Sequence, residues 1–253
     1  MSLSFTALPG LPEIRRGDDL AAVIGRAMED ADLIPRTGDV LVVAQKIVSK
    51  AEGRLVDLDT VTPSAHAREL SAQTGKDPRL VELILGESAE ILRVRPGVIV
   101  VAHHDGFVMA QAGIDRSNVA GTDGGDYALL LPEDCDASAA TLRQGLKALF
   151  GADLGIIVSD SFGRAWRKGT VNVALGVAGL PALIDRRGEH DRFGRVLEST
   201  EIGFADAIAA GAGLVMGEAA EGTPAVLARG LVWNAPESTG KALLRPKAED
   251  MFR

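Results

Sequence analysis

Residues 155–172 read GIIVSDSFGRAWRKGTVN, and this stretch restricts the fold more tightly than any other. Gly155 to Val158 is a short apolar run of the kind that forms a buried strand. It turns abruptly to Ser159, Asp160 and Ser161, and Arg164, Arg167 and Lys168 follow at once. A strand that leaves the core on a carboxylate between two hydroxyls, then opens into a basic loop, sets opposite charges at the rim of a core. That placement suits a cation held beside an anion.

The 253 residues are enough to bury a substantial core, as one large domain or two small ones. Aromatic residues are only 4% of the chain, so the core must be built from Ala, Val, Leu and Ile. GDDLAAVIGRAMEDADL predicts a helix capped by Asp18 or Asp19. GDVLVVAQKIVSK predicts a buried strand ending in a polar loop or turn. SAHARELSAQTG and DPRLVELILGES predict helices, and GVIVVAHHDGFVMAQAGI predicts two strands joined at Asp105–Gly106. SAATLRQGLKALFG predicts a helix with Ser138 as cap and Gly151 as stop, and LGIIVSD is the next strand. STEIGFADAIAAGAGLVMG reads as a small-residue helix, AVLARGLVW as a strand and STGKALLRP as a short helix halted by Pro246. Strands and helices mix without strict alternation, so the expected class is α+β, mixed sheets with flanking helices. Residues 1–253 are expected to form one unit, with the loop-rich stretch 115–195 as a second lobe.

The formal net charge of −8 argues against a polyanion binder, so no nucleic-acid partner is expected. Cys135 is the only cysteine, which rules out an intrachain disulfide and suits a reducing compartment. Its acidic setting, PEDCDAS, disfavours a thiolate. The N-terminus lacks a basic segment followed by an apolar one, and runs such as VIVVA are too short to span a membrane. A cytoplasmic protein with no membrane partner is expected. ESTGK fails as a phosphate loop at Ala235 and Ala242, and GAGLVMG closes a helix rather than opening one. The four histidines have no zinc spacing.

Three acidic or hydroxyl-bearing spots lie at or just beyond apolar strand ends. They are Asp115, Ser117 and Asn118 in AGIDRSNV, Asp160 and Ser161 in VSDSFGR, and Glu218 and Glu221 in MGEAAEGTP. Such carboxylates suit magnesium or manganese with coordination positions left for phosphate, and Arg164, Arg167 and Lys168 suit the remaining anionic charge. Asp, Asn, Ser and Gly are also the usual turn formers, and each spot alone is more often a turn than a site; the coincidence of three in one chain favours a site. Lys46 and Lys50 are four apart and fit either one helical face or solvated positions. LPGLPEI fits either a stiff ligand-binding segment or a plain N-terminal arm.

Taken together, GLPEI, GDVLVVAQKIVSKAEGR, AGIDRSNV, SDSFGRAWRKGTVNVALGVAGL, LVMGEAAEGTP and LLRP resemble the coenzyme F-420 glutamate ligases, also called F-420-0 gamma-glutamyl ligases. The segments follow the family's order along nearly the whole chain. The resemblance implies a GTP-dependent ligase that joins L-glutamate to the lactyl carboxylate of a phospholactyl deazaflavin, with further gamma-glutamylation. It also implies an intertwined homodimer of family-specific fold with two divalent metals, magnesium or manganese, assisted by potassium.

Residue by residue, Asp115 matches a metal ligand, and Asp160 and Ser161 match the second pair of metal-binding positions. Leu11, Pro12, Glu13, Ile14, Gln45, Lys50 and Asn118 match nucleotide-binding positions. So do Met216, Gly217, Glu218, Ala219, Ala220, Glu221, Gly222 and Thr223. Glu218 stands where relatives carry a metal-binding Gln, and Gln45 where some carry a hydroxyl residue. Lys50 is expected to stabilise the transferring group, and Arg164, Arg167 and Lys168 to bind the anionic deazaflavin or the glutamate carboxylates. The chain stops at Arg253, where some relatives continue into a flavin-binding domain, so the stand-alone form is expected. The same carboxylates would also serve a metal-dependent nucleotide phosphohydrolase, and a non-catalytic GTP-binding regulator is a third reading.

Overall fold

The computed structural model describes residues 2–119 and 124–251. The chain opens with β1 (Ser4–Ala7), α1 (Leu20–Asp30), β2 (Val40–Ala44) and α2 (Gln45–Glu52). Asp19 caps α1, accepting from the Ala22 amide at 3.1 Å, as one of the two expected caps. α2 corrects the expected polar loop after β2. Ile47 and Val48 are buried in the main core with Ala51 beside them, and Gly53 stops the helix at φ 76°. An apolar face of three residues was too short a signal against the polar ones around it.

A middle block follows: β3 (Leu55–Asp57), α3 (Ala65–Thr74), α4 (Pro78–Gly86), β4 (Ser88–Arg95), β5 (Val98–His103), β6 (Val108–Ala110) and β7 (Tyr127–Leu129). β5 and β6 pair antiparallel across the expected Asp105–Gly106 turn. β4 pairs with β5 but has no fully buried position, so it shows no clean alternation in sequence. Leu70 of α3 and Val81 and Ile84 of α4 pack with Ile99 and Val101 of β5 into a separate buried cluster.

The remainder comprises α5 (Cys135–Phe150), β8 (Gly155–Gly163), β9 (Thr170–Ala178), β10 (Leu183–Asp185), β11 (Glu201–Gly203), α6 (Phe204–Met216) and β12 (Ala225–Arg229). The cap of α5 is Asp134, which accepts from the Ala137 amide at 2.9 Å, and not Ser138, which lies inside the helix. The last expected strand ends at Arg229, and the terminal helix is a single 3-10 turn at Gly240–Leu243.

The main sheet has the order β1-β12-β2-β8-β9. β2 and β8 run parallel, and the other neighbours run antiparallel. The pleat sends Leu41, Val43, Ile156 and Val158 into a core with α1, α2 and α5. Val40, Val42 and Ile157 face the opposite core, with α6. Both central strands are covered on two faces, which explains why their runs are apolar at every position. Full burial of a side chain such as Leu41 or Ile156 contributes about 1.5–3 kcal/mol. A mixed sheet between helices, joined to smaller sheets, is the expected α+β class. The range 115–195 maps onto both cores: Asp115 belongs with the middle block, whereas α5, β8 and β9 build the main one. Residues 120–123 of that range lie outside the described residues. Among the described residues, no helix is long and apolar enough to cross a membrane.

Candidate functional site

β2 ends at Ala44, level with Ser159 of its parallel neighbour, but β8 continues to Gly163. Asp160 to Gly163 therefore have β9 on one side and no strand on the other. At the same edge β12 begins at Ala225, opposite Val43, and β1 ends at Ala7, opposite Val226. The arm after β1, the start of α2 and the loop before β12 all emerge there. Between them lies a cleft of about 400 Å³, outside the carboxyl ends of the parallel pair.

Every expected nucleotide position lines this cleft. Leu11, Pro12, Glu13 and Ile14 come from the arm, Gln45 and Lys50 from α2, and Asn118 from the middle block. The loop Met216 to Thr223, with Gly217, Glu218, Ala219, Ala220, Glu221 and Gly222, forms the facing wall, and Asp160 and Ser161 lie on the wall as well. α2 has no side-chain cap, so its first amides remain available to an anion. Lys50 Nζ, on the next turn, pairs with Glu13 at 2.5 Å.

Asp115 stands just behind the wall, anchored by reciprocal backbone bonds with Leu129 at 2.9 Å. The buried Gln45 amide donates to Asp115 Oδ2 at 3.1 Å and also bonds Asp160. Its own oxygen accepts from the Ser49 hydroxyl at 2.9 Å, which satisfies an otherwise costly buried amide. Burial pushes the Asp115 carboxyl above its ordinary range against the pull of Lys46. Burial, and then repulsion by Asp115, push Asp160 up to about 7. Burial resists ionisation of both carboxylates and Asp115 adds its repulsion at Asp160, so the pair is under-neutralised.

Across the cleft, Glu218 accepts from the Ser161 hydroxyl at 2.6 Å and from the Asn172 amide at 3.0 Å. The 216–223 loop holds its shape through Gly217 and Gly222, both at positive φ, and through the Thr223 hydroxyl donating to Met216 O at 2.8 Å. Asn118, itself at φ 54°, ties it to the middle block by donating to Ala219 O at 3.0 Å.

Among the described residues, no three His, Cys, Asp or Glu side chains cluster closely enough to hold a metal ion alone. The donor set is instead two adjacent carboxylates, the Ser161 hydroxyl and Glu218, all hard oxygens with room beside them. That set fits a divalent cation completed by phosphate oxygens.

Arg164, Arg167 and Lys168 sit elsewhere, at the turn of the β8–β9 hairpin, and the cleft wall described above does not include them. Arg167 and Lys168 are exposed, Trp166 is 78% exposed at φ 63°, and Arg164 Nη1 is buried without a hydrogen-bond partner. Cys135 is buried, and burial with its acidic neighbours drives its thiol pKa far up, in line with the expected inert role. Sequence reasoning missed Asn172 and Ser49. Asn172 faces Ser161 in the hairpin register, so reading β9 as a strand would have exposed it.

The family described as F420-0:Gamma-glutamyl ligase matches residues 10–230. The chain is 47% identical to the coenzyme F420:L-glutamate ligase of Methanothermobacter thermautotrophicus, over all of both chains. It is 44% identical to the protein of the same name from Methanopyrus kandleri, covering all of this chain and 98% of that one. With the Archaeoglobus fulgidus counterpart it shares 41% identity, over all of this chain and 97% of the relative. The motifs that converge on the cleft thus sit in a chain that matches these relatives from end to end, and it belongs to the F420-0:gamma-glutamyl ligase family.

Proposed function

We propose that this chain is a ligase that uses GTP to join L-glutamate to the carboxylate of the deazaflavin coenzyme F420-0, through an acyl phosphate, with further gamma-glutamylation. It would work as a homodimer, with magnesium or manganese and with potassium assisting. The observation that carries this reading is the under-neutralised Asp115–Asp160 pair beside the open start of α2, in a cleft walled by all the expected nucleotide segments. The names of the relatives and of the family supply the deazaflavin coenzyme and L-glutamate as substrates, and GTP comes from the resemblance of the cleft's motifs.

A carboxylate repels an amine and has no leaving group. Transfer of the γ-phosphoryl group to a carboxylate oxygen releases GDP and supplies one. The glutamate nitrogen then attacks the acyl carbon, phosphate departs and the amine loses a proton. The protein's contribution is positioning and charge neutralisation. Asp115, Asp160, Ser161 and Glu218 would hold two divalent cations, which when bound neutralise phosphate charge. Lys50 would exchange Glu13 for a phosphate oxygen, and the first amides of α2 would meet the same group. Arg164, Arg167 and Lys168, outside the nucleotide cleft, would bind the anionic parts of the acceptor or the glutamate carboxylates.

Mass spectrometry after incubation with GTP, manganese, glutamate and F420-0 tests the reading. A mass gain of one glutamate residue is expected for the native chain. Asp160→Ala should lower the rate by about 100-fold or more with the melting temperature retained, because charge placement at the phosphoryl group is the main catalytic means. Phosphate release that needs neither glutamate nor F420-0 would indicate a phosphohydrolase instead. Tight GTP binding with no turnover would indicate a regulator.

A further inference from the structure

Lys46 has no place in the scheme above, yet its ammonium is the cation nearest the carboxylates. Nζ lies 3.4 Å from Asp115 Oδ2 and 3.2 Å from the Ser117 hydroxyl, and its charge also reaches Asp160. The side chain is 28% exposed, so it is free to swing outward. It stands one helical turn before Lys50, which is engaged with Glu13 and faces the arm instead. Among the two lysines of α2, only Lys46 serves the carboxylate side of the cleft.

Two half-buried carboxylates bonded by one amide need a counter-charge whenever the cleft holds no other cation. Hydrogen bonds from Gln45 and Ser117 orient these oxygens but bring no charge. We propose that, in the metal-free protein, the Lys46 ammonium is the resident counter-ion of the Asp115–Asp160 pair and gives up this place when a divalent cation binds. The inference rests on the metal site proposed above. Two cationic centres cannot share these few oxygens without strong repulsion, so binding of the divalent ion must displace Lys46, and the native affinity includes that cost. Lys46 then becomes a free ammonium at the phosphate end of the cleft.

The consequence has a sign that a merely structural role would not produce. Removing Lys46 should tighten metal binding while slowing the reaction. Binding of Mn²⁺ to the full chain without nucleotide is read from the loss of the free ion's electron paramagnetic resonance signal. The pH is kept well above 7, so that protonation of the carboxylates does not compete.

Lys46→Met is expected to bind Mn²⁺ about tenfold more tightly than the native chain, and Lys46→Arg to stay near native. Lys46→Gln, with the same expectation, takes its place if the Met variant does not fold. Unchanged or weaker Mn²⁺ binding by the uncharged variant overturns the role of Lys46 and leaves the ligase reading standing. No Mn²⁺ binding by the native chain, with or without GTP, overturns the metal site itself and this inference with it.

Discussion

Glu218 accepts from Ser161 on β8 and from Asn172 on β9, so one side chain joins the 216–223 loop to both strands of the hairpin. Asn172 is 6% exposed and packs against α6, where a Cβ at Gly213 would come within 2.4 Å of its amide nitrogen. An amide at position 218 can keep both contacts, its oxygen accepting from Asn172 and its N–H donating to the Ser161 hydroxyl. Glu218→Gln should therefore hold GTP affinity, by calorimetry, within about threefold. Glu218→Ala leaves the buried Asn172 donor unpaired and should cost about 1–3 kcal/mol of stability. The carboxylates at 115, 160 and 218 were each visible in the sequence as polar residues near strand ends. Their partners Gln45 and Asn172, and Ser49 that holds Gln45, were less so, because a buried polar group is recognised only by what it touches.

At the scale of elements, the β8–β9 hairpin decides where Asp160 lies. Its register breaks between Val158 and Ser159, where Val158 pairs with Gly176 but Ser159 with Ala174. Such a bulge bends a strand and re-aims the side chains beyond it. Gly176 beside it lets the first turn of α5 press onto β9, since a Cβ there would meet the Cys135 carbonyl oxygen at 2.0 Å. The obstacle is backbone and cannot rotate away. Gly176→Ala should lower stability by about 3 kcal/mol or more in urea unfolding, a large effect for a single methyl group. α5 and the start of β8 were legible from periodicity and apolar runs, but β8 runs on past the expected stop at Asp160 to Gly163. β9 and α2 were not: β9 carries the cleft's Asn172 near its start, and the buried residues of α2 are interleaved with polar ones that belong to the cleft.

At the scale of the whole molecule, Asp115 arrives on the middle block while Asp160 belongs to the main sheet, so the junction of the two cores sets their approach. Arg54, just after α2, reaches across this junction. Its Nε donates to Leu131 O at 2.8 Å, and its Nη2 pairs with Glu87 at 2.9 Å. His103 Nε2 lies 3.5 Å from the same Glu87 carboxylate. The His103 ring, followed by Arg54, holds the Glu87 carboxyl below its usual 4.5. This contribution to stability is fully present above 4.5, where the unfolded group is also ionised, and it is lost as pH falls through the lower folded value. Glu87→Gln should thus be less stable than the native chain at neutral pH by no more than about 1 kcal/mol, since the pair is partly exposed. The gap should close in acid, as urea midpoints taken along a pH series would record.

The sequence by itself determined the strand runs, the helix stops at glycine, the α+β class and the family, because these depend on local pattern and on motif order. Convergence of the segments was decided only by the tertiary structure. β2 stops at Ala44 while β8 continues, and β1 and β12 meet the same edge, so residues separated by more than half the chain share one cleft. The perturbation of Asp115 and Asp160 is likewise tertiary, since burial acts on both and the charge of Asp115 reaches Asp160 only once the two blocks meet.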